Sequence, residues 1–203
     1  MERLFPMFLK LAGRRVLVVG AGAVGESKIG SLRETGARIH VIALQASERV
    51  RGWAEAGEIR LEERRFRPTD LKDAFLVIAA TASRRLNELI FSEARRRRIL
   101  CNVVDVPELC DFFYPAVVRR GDLQIAISTA GQSPLLAQRI RKELEEQFGP
   151  GYAAWVAQLG KNRREVLGSD LPAERKRERL ESLIRRQEFS AAQAIPVVER
   201  EQS

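Results

Sequence analysis

The run Gly20-Ala-Gly22-Ala-Val-Gly25 has the GxGxxG spacing of a loop that grips a nucleotide pyrophosphate. Each glycine has a task in such a loop. Gly20 permits a tight turn, Gly22 lets the backbone approach the phosphates with no Cβ in the way, and Gly25 lets a helix pack closely on the preceding strand. The opening N–H groups of that helix present a partial positive charge to the anion. Glycine-rich stretches are common, so the spacing alone says little. Here it follows the apolar run Val16–Val19 and opens a helical pattern, which is the context the chemistry requires. One part of the fingerprint is missing. About 20 residues on, an acidic side chain normally binds the ribose hydroxyls, whereas this chain has Ala43, Leu44 and Gln45. Gln45 or nearby backbone groups take that part, which leans towards NAD; Arg49 keeps a 2′-phosphate, and so NADP, open.

Ligands of open parallel sheets bind beyond the carboxyl ends of the strands, and three further groups fall there. Thr81 ends the run Ala79-Ala80-Thr81 beside the expected cofactor. Asp105 follows Asn102-Val-Val and is the candidate acid or base; an Asx turn before Pro107 explains it equally well. Ser128-Thr129-Ala-Gly131-Gln-Ser133-Pro134 ends a β-rich run and opens a helix carrying Arg139, Arg141 and Lys142. Ser133 before Pro134 is a strong helix start. With Gly131 it makes a small anion-binding lip, although a plain cap accounts for it as well. The lone histidine, His40, has no partner at ligand spacing and reads as structural, so no resident metal is expected. Cys101 and Cys110, nine residues apart, fit neither a zinc pair nor a redox CxxC and read as inert thiols of a reduced cytoplasmic protein.

The elements that must position these groups alternate. Val16–Val19 is a buried parallel strand, followed by a helix to about Thr35 that Gly36 stops; Arg38–Ala43 is a second strand, and Ser47 caps a helix ending at Gly57. Ile59–Glu63, Phe75–Ala79 and Ile99–Val104 are further strands, with a helix from Ser83 to about Arg97 before the last. Such alternation predicts an α/β fold around a doubly wound, Rossmann-like parallel sheet. The pattern then changes. Phe113–Val118 and Leu123–Ser128 read as a hairpin around Arg119-Arg120-Gly121-Asp122, and a helix runs from Pro134 to Gln147. Beyond the break at Gly149-Pro150-Gly151, two charged helices are expected near Tyr152–Leu167 and Ala173–Gln187.

Composition sets outer bounds. Hydrophobic residues make up 45% of the 203, enough for an ordinary core, and the net charge is +8. A basic balance suits an acidic partner, although single clusters such as Arg95–Arg98 are most simply solvated helix faces. The opening patch Leu4, Phe5, Met7, Phe8 and Leu9 is too short and broken for a signal peptide, and no apolar run is long enough for a membrane span. With 6% aromatic residues and no stacking platform, nucleic acid is not an expected partner.

Taken in order, these blocks resemble the precorrin-2 dehydrogenase family, which includes the N-terminal part of bifunctional siroheme synthases. The shared blocks are Leu4-Phe-Pro-Met-Phe8, Val18-Val-Gly-Ala-Gly-Ala-Val24 with Lys28 following, Ile78-Ala-Ala-Thr81, Cys101-Asn-Val-Val-Asp105, Phe112-Phe-Tyr-Pro-Ala116, and Ala126-Ile-Ser-Thr-Ala-Gly-Gln-Ser-Pro-Leu-Leu-Ala137 leading to Arg139 and Arg141-Lys-Glu-Leu144. The likeness covers about residues 4–150. It implies NAD-dependent oxidation of precorrin-2 to sirohydrochlorin, and in some members insertion of ferrous iron to give siroheme. It further implies a cofactor site at Gly20, Gly22, Ala23, Val24, Gly25, Leu44, Gln45 and Thr81, with Asp105 as the key carboxylate. Ser128, Thr129, Gly131, Ser133 and Arg139 would bind the tetrapyrrole, and Thr129 stands where some relatives carry a second serine. Arg119, Arg120 and Arg141 are further charge partners for its eight carboxylates. A homodimer paired through the middle region is implied too. The resulting organisation is an NAD-binding domain over 1–112, a dimerisation and substrate region over 113–150, and a helical region over 151–203. The rival reading is a non-catalytic dinucleotide sensor with a helical interaction tail, which leaves the ordered blocks at 101–137 without a purpose.

Overall fold

The computed structural model describes residues 3–193, which fall into two compact units, one of Phe5–Tyr114 and one of residues 3–4 with Pro115 onward. In the first, β1 (Arg15–Ala21), β2 (Arg38–Ala46), β3 (Arg60–Glu63), β4 (Leu76–Ala79) and β5 (Leu100–Val103) form one parallel sheet in the order β3-β2-β1-β4-β5. Chain order reverses between β1 and β4, so the crevice for a ligand opens beyond the carboxyl ends of those two strands.

Period-two alternation builds the core on both faces. Val16 and Val18 of β1 join Ile29, Leu32, Val41, Val50, Trp53 and Ile78 on one side, covered by α1 (Ala23–Arg33) and α2 (Glu48–Glu55). Leu17 and Val19 join Ile42, Leu71, Val77, Ile90, Cys101 and Val103 on the other, covered by α3 (Arg84–Arg96). The hydroxyls expected as caps act as such. Ser47 Oγ accepts from the Val50 N–H and Ser83 Oγ from the Leu86 N–H, each at 3.3 Å, worth about 1 kcal/mol apiece.

Two strand ends differ from the sequence reading. β2 continues three residues past Ala43, because an irregularity after Val19 lets Ala21 pair with Ala46 and keeps the ladder alive beneath the exposed Leu44 and Gln45. β5 stops at Val103, which leaves Asp105 beyond the strand. In the β3–β4 link, a 3-10 turn at Pro68–Leu71 buries Leu71 against the second face.

His40 is buried in β2 with both ring nitrogens engaged. Nδ1 lies 2.6 Å from the Arg15 guanidinium and Nε2 2.9 Å from the Glu62 carboxylate. Since arginine only donates, Nδ1 is the acceptor and Nε2–H donates to Glu62, which makes the ring a neutral structural group. Next to it, Arg64 grips the buried Asp70 through two bonds of 2.7 and 2.8 Å.

The second unit begins with the hairpin β6 (Ala116–Arg120) and β7 (Leu123–Ile127), closed by the two-residue turn Gly121-Asp122. This turn is tighter than the four-residue link expected, since Gly121 at φ 58 supplies the left-handed first position that such a turn demands. α4 (Pro134–Gln147), α5 (Gly151–Gly168) and α6 (Ala173–Gln193) follow. Phe148, Tyr152 and Trp155 stack edge to face with centroids 5.1 Å apart, tying the end of α4 to α5.

Candidate active site

The glycine turn is shaped by its neighbours. Gly20 has φ 102, and a Cβ there would stand inside van der Waals contact of the Ala80 carbonyl oxygen at the end of β4. A Cβ on Gly25 would collide in the same way with the carbonyl of Gly20, so α1 can lie against the turn only because position 25 is bare. Gly22 differs. Nothing lies within 4 Å of the place a Cβ would take, and its φ of −75° is open to any residue. Packing does not require glycine there; an approaching ligand would. Gly22 is also the N-cap of α1, with no side chain accepting from the first turn, so the opening N–H groups, including those of Ala23 and Val24, keep their donors for an anion. Val24 is half exposed and Leu44 is 69% exposed, both at this edge of the sheet, with Gln45 exposed beside Leu44.

Hydrogen bonds knit the carboxyl ends of the three relevant strands. The Ala80 N–H donates to Val19 O at 2.8 Å, and the Val104 N–H donates to Ala79 O at 2.9 Å. Thr81 is fixed by Asn87, a buried residue of α3 that sequence reasoning missed. Thr81 Oγ1 donates to Asn87 Oδ1 at 2.7 Å, and the amide returns a bond to Thr81 O at 3.0 Å. The signal for it was an amide on the inward side of a helix, where polar groups are rare unless bonded. Arg49, the possible partner of a 2′-phosphate, lies 3.4 Å from the Glu26 carboxylate and over the Trp53 ring.

Asp105 follows β5 in a left-handed conformation, φ 62, which short polar side chains tolerate best. It lines a cavity of about 160 Å³ with Lys28, Asn102, Cys110 and Tyr114. The far wall is pinned to β5. Asn102 Nδ2 donates to Phe112 O at 2.8 Å, and the Cys101 N–H donates to Asp111 Oδ2 at 2.9 Å. Lys28, present in the sequence reading only inside a motif, reaches this cavity from the second turn of α1. Its ammonium sits 3.9 Å from the centroid of the Tyr114 ring. Desolvation pulls its pKa below the usual lysine range, while the Asp105 carboxylate pulls the other way. Burial pushes the Cys110 thiol up, and the Cys101 thiol to about 12, so both are neutral and unreactive near neutral pH.

The remaining predicted residues belong to the second unit. Between β7 and α4 the hydroxyls bond to the local backbone: Ser128 Oγ accepts from the Ala130 N–H, Thr129 Oγ1 from the Ser133 N–H, both at 3.1 Å, and Ser133 Oγ from the Leu136 N–H at 3.2 Å. Ala130 and Gly131 both have positive φ, so the loop turns sharply. Arg139 is exposed and paired one turn on with Glu143 at 2.9 Å. Arg120 is engaged within its own unit. Its Nε donates to Phe148 O at 2.7 Å and its Nη2 to Glu145 O at 3.0 Å, satisfying the open carbonyls at the end of α4. Arg141 is likewise drawn to Glu145, at 2.5 Å.

Comparison with known proteins adds to this geometry. Residues 7–116, more than half of the chain, match the family described as "Putative NAD(P)-binding", and residues 120–147 match "Sirohaem biosynthesis protein central". The siroheme synthase of Nitrosococcus oceani is 40% identical over 147 residues, 72% of this chain and 31% of the relative. That of Methylococcus capsulatus is 40% identical over 172 residues, 85% of this chain and 36% of the relative. The chain therefore spans about a third of the length of these curated relatives. Among solved structures, SirC, precorrin-2 dehydrogenase, superposes with a TM-score of 0.77 at 29% identity, covering 89% of both chains.

Proposed function

The chain belongs to the NAD(P)-binding family matched over residues 7–116, and on that premise we propose that it oxidises precorrin-2 to sirohydrochlorin with NAD in siroheme biosynthesis, as a cytoplasmic enzyme. One observation carries the reading. The helix opened by the glycine turn and the carboxylate of Asp105 line the same cavity at the carboxyl edge of the sheet.

The first unit fits a dinucleotide on its own terms, through the empty space at Gly22, the uncapped start of α1 and the exposed edge at Leu44 and Gln45. Bound NAD supplies the acceptor for the two electrons that leave the ring as hydride. The chain supplies the rest. Backbone N–H groups at Gly22–Gly25 hold the pyrophosphate, Gly20 and Gly25 keep the turn tight, and Thr81, locked by Asn87, borders the cofactor. Loss of hydride leaves a proton to be removed from the macrocycle, and Asp105 takes it as a carboxylate. Ser128, Thr129, Gly131, Ser133 and Arg139 bind the acidic substrate, which a chain of net charge +8 suits.

Mixing the purified chain with precorrin-2 and NAD tests this directly. Sirohydrochlorin absorbance should rise, and a flat trace with both NAD and NADP would transfer the case to a non-catalytic dinucleotide sensor. Adding ferrous iron anaerobically to the same mixture asks whether the chain also makes siroheme, read as iron insertion above the rate without protein. In that reaction iron is a substrate that enters the ring nitrogens.

A further inference from the structure

We infer that Glu26 is the acid of the nucleotide site: a carboxylate carried by α1 rather than by the end of β2, which takes the 2′-hydroxyl of the adenosine ribose and turns away a 2′-phosphate, so that NAD is favoured over NADP. The inference deepens the nucleotide-binding reading proposed above and rests on it. The observations begin inside the glycine turn. Ala21 pairs with Ala46 at the end of β2, and Ala21 O accepts from the Ser47 N–H at 3.3 Å. The extension of β2 past Ala43 thus brings Ser47 to the rim of the turn. Glu26 reaches the same rim from α1. Its N–H donates to Gly22 O at 2.8 Å, and its Oε2 accepts from Ser47 Oγ at 2.7 Å. A carboxylate therefore stands where the glycine turn meets the end of the second strand. The fingerprint requires an acid at that junction, and Ala43, Leu44 and Gln45 offer none.

Its surroundings fix the carboxylate and leave it capacity. The Ser47 hydroxyl gives its proton to Glu26 while accepting from the Val50 N–H, so the residue that caps α2 also holds the acid in place. The other oxygen, Oε1, has only a long contact with Arg49 Nη1, at 3.4 Å, and a carboxylate oxygen can accept a further hydroxyl proton. Glu63, also bonded at this edge, is already engaged: it accepts from the Ala46 N–H at 3.1 Å and from Arg51 at 2.8 and 3.2 Å. Glu26 is half-buried, where charge is less screened than in open water. A 2′-phosphate arriving beside it meets a like charge, a repulsion that discriminates between two otherwise similar ligands. Arg49, the cation that could favour such a phosphate, is meanwhile held between the Glu26 carboxylate and the Trp53 ring, 5.3 Å from its centroid.

Calorimetric binding of nucleotides, without substrate or turnover, tests this. The parent should prefer NAD to NADP, and should bind NAD lacking the adenosine 2′-hydroxyl about tenfold or more weakly, the loss expected for a hydrogen bond to a charged group. Glu26→Gln keeps an acceptor for the Ser47 hydroxyl and removes the charge. It should lower NAD affinity about tenfold while NADP affinity holds or rises, and Arg49→Met added to it should take away any gain for NADP. An NAD-to-NADP affinity ratio unchanged in Glu26→Gln overturns the proposal, whether both affinities hold or fall together, since a purely structural role through Ser47 would weaken both alike. Equal affinity of the parent for NAD and its 2′-deoxy form overturns it too, with no variant involved, as does a parent that prefers NADP. A parent that binds neither nucleotide removes the nucleotide-binding reading itself and this inference with it.

Discussion

At the scale of single residues, the glycines of the turn separate into two kinds. Gly20 and Gly25 are bare because protein atoms crowd them, while Gly22 is bare beside open space. Substitution should therefore give opposite results. Gly22→Ser keeps a good N-cap and meets no protein atom, so its melting temperature should stay close to that of the parent while NAD affinity falls about tenfold or more. Gly25→Ala, which must displace the Gly20 carbonyl, should lower the melting temperature first. Calorimetry on both variants, with and without NAD, checks the pair; equal NAD affinity for Gly22→Ser and the parent would remove the phosphate contact from this position. The three glycines were legible in the sequence by their spacing. Their separate tasks followed from the same motif, but the atom that crowds Gly20, the Ala80 carbonyl oxygen, was not legible, because it comes from the end of a strand far along the chain. Lys28 was hidden for the same reason, since it meets the segment of Asp105 and Tyr114 from a distant element. Asn87 bonds Thr81 from close by in the chain, but no spacing between the two announces it.

At the scale of elements, strands and helices were readable because their signals are local: apolar runs bounded by glycine, and hydroxyls at Ser47, Ser83 and Ser133 one residue before helical periodicity. The extension of β2 to Ala46 was not, since its ladder depends on pairing with Ala21 after an irregularity in β1. A half-buried polar cluster joins three strands, with Arg15 of β1, the buried His40 of β2 and Glu62 of β3 bonded in series. Burial lowers the His40 pKa, and the attraction of Glu62 does not overcome it. The folded state therefore binds fewer protons than the unfolded state as the pH drops through the ordinary histidine range, near 6.5, and stability is lost in that direction. The chain has a single histidine, so this window belongs to one group. Carboxylates act lower down: desolvation raises the Asp70 carboxyl, but Arg64 and the Arg67 N–H outweigh it, and Arg64 holds Glu62 down as well. Their contribution is present above the usual carboxylate range and fades as the pH falls through it. Urea unfolding from pH 7 to pH 5 should show a falling midpoint in the parent. His40→Gln should start about 1–2 kcal/mol less stable, for the bonds it loses, with a flatter slope over that window. Identical slopes would show that some other group titrates there.

At the scale of the whole molecule, the chain joins a nucleotide-binding sheet to a hairpin-and-helix unit, and the two family matches fall on these two parts in turn. We propose a homodimer formed through the second unit. Its support is the apolar surface at the start of α4, where Leu135 is 82% exposed and Leu136 is exposed beside it. Leu135→Glu should convert a dimer to a monomer in sedimentation; a parent that already sediments as a monomer would end that assignment. The proposed function is anchored in the first unit, where the glycine turn and Asp105 meet at one edge of one sheet. The most direct measurement follows NADH and sirohydrochlorin together in a single mixture with precorrin-2, for the parent and for Asp105→Ala. The parent should form the two products one for one, and Asp105→Ala should lose about a hundredfold or more in rate while binding NAD as before. Sirohydrochlorin formed at the same rate by both proteins, or by neither, would contradict the account.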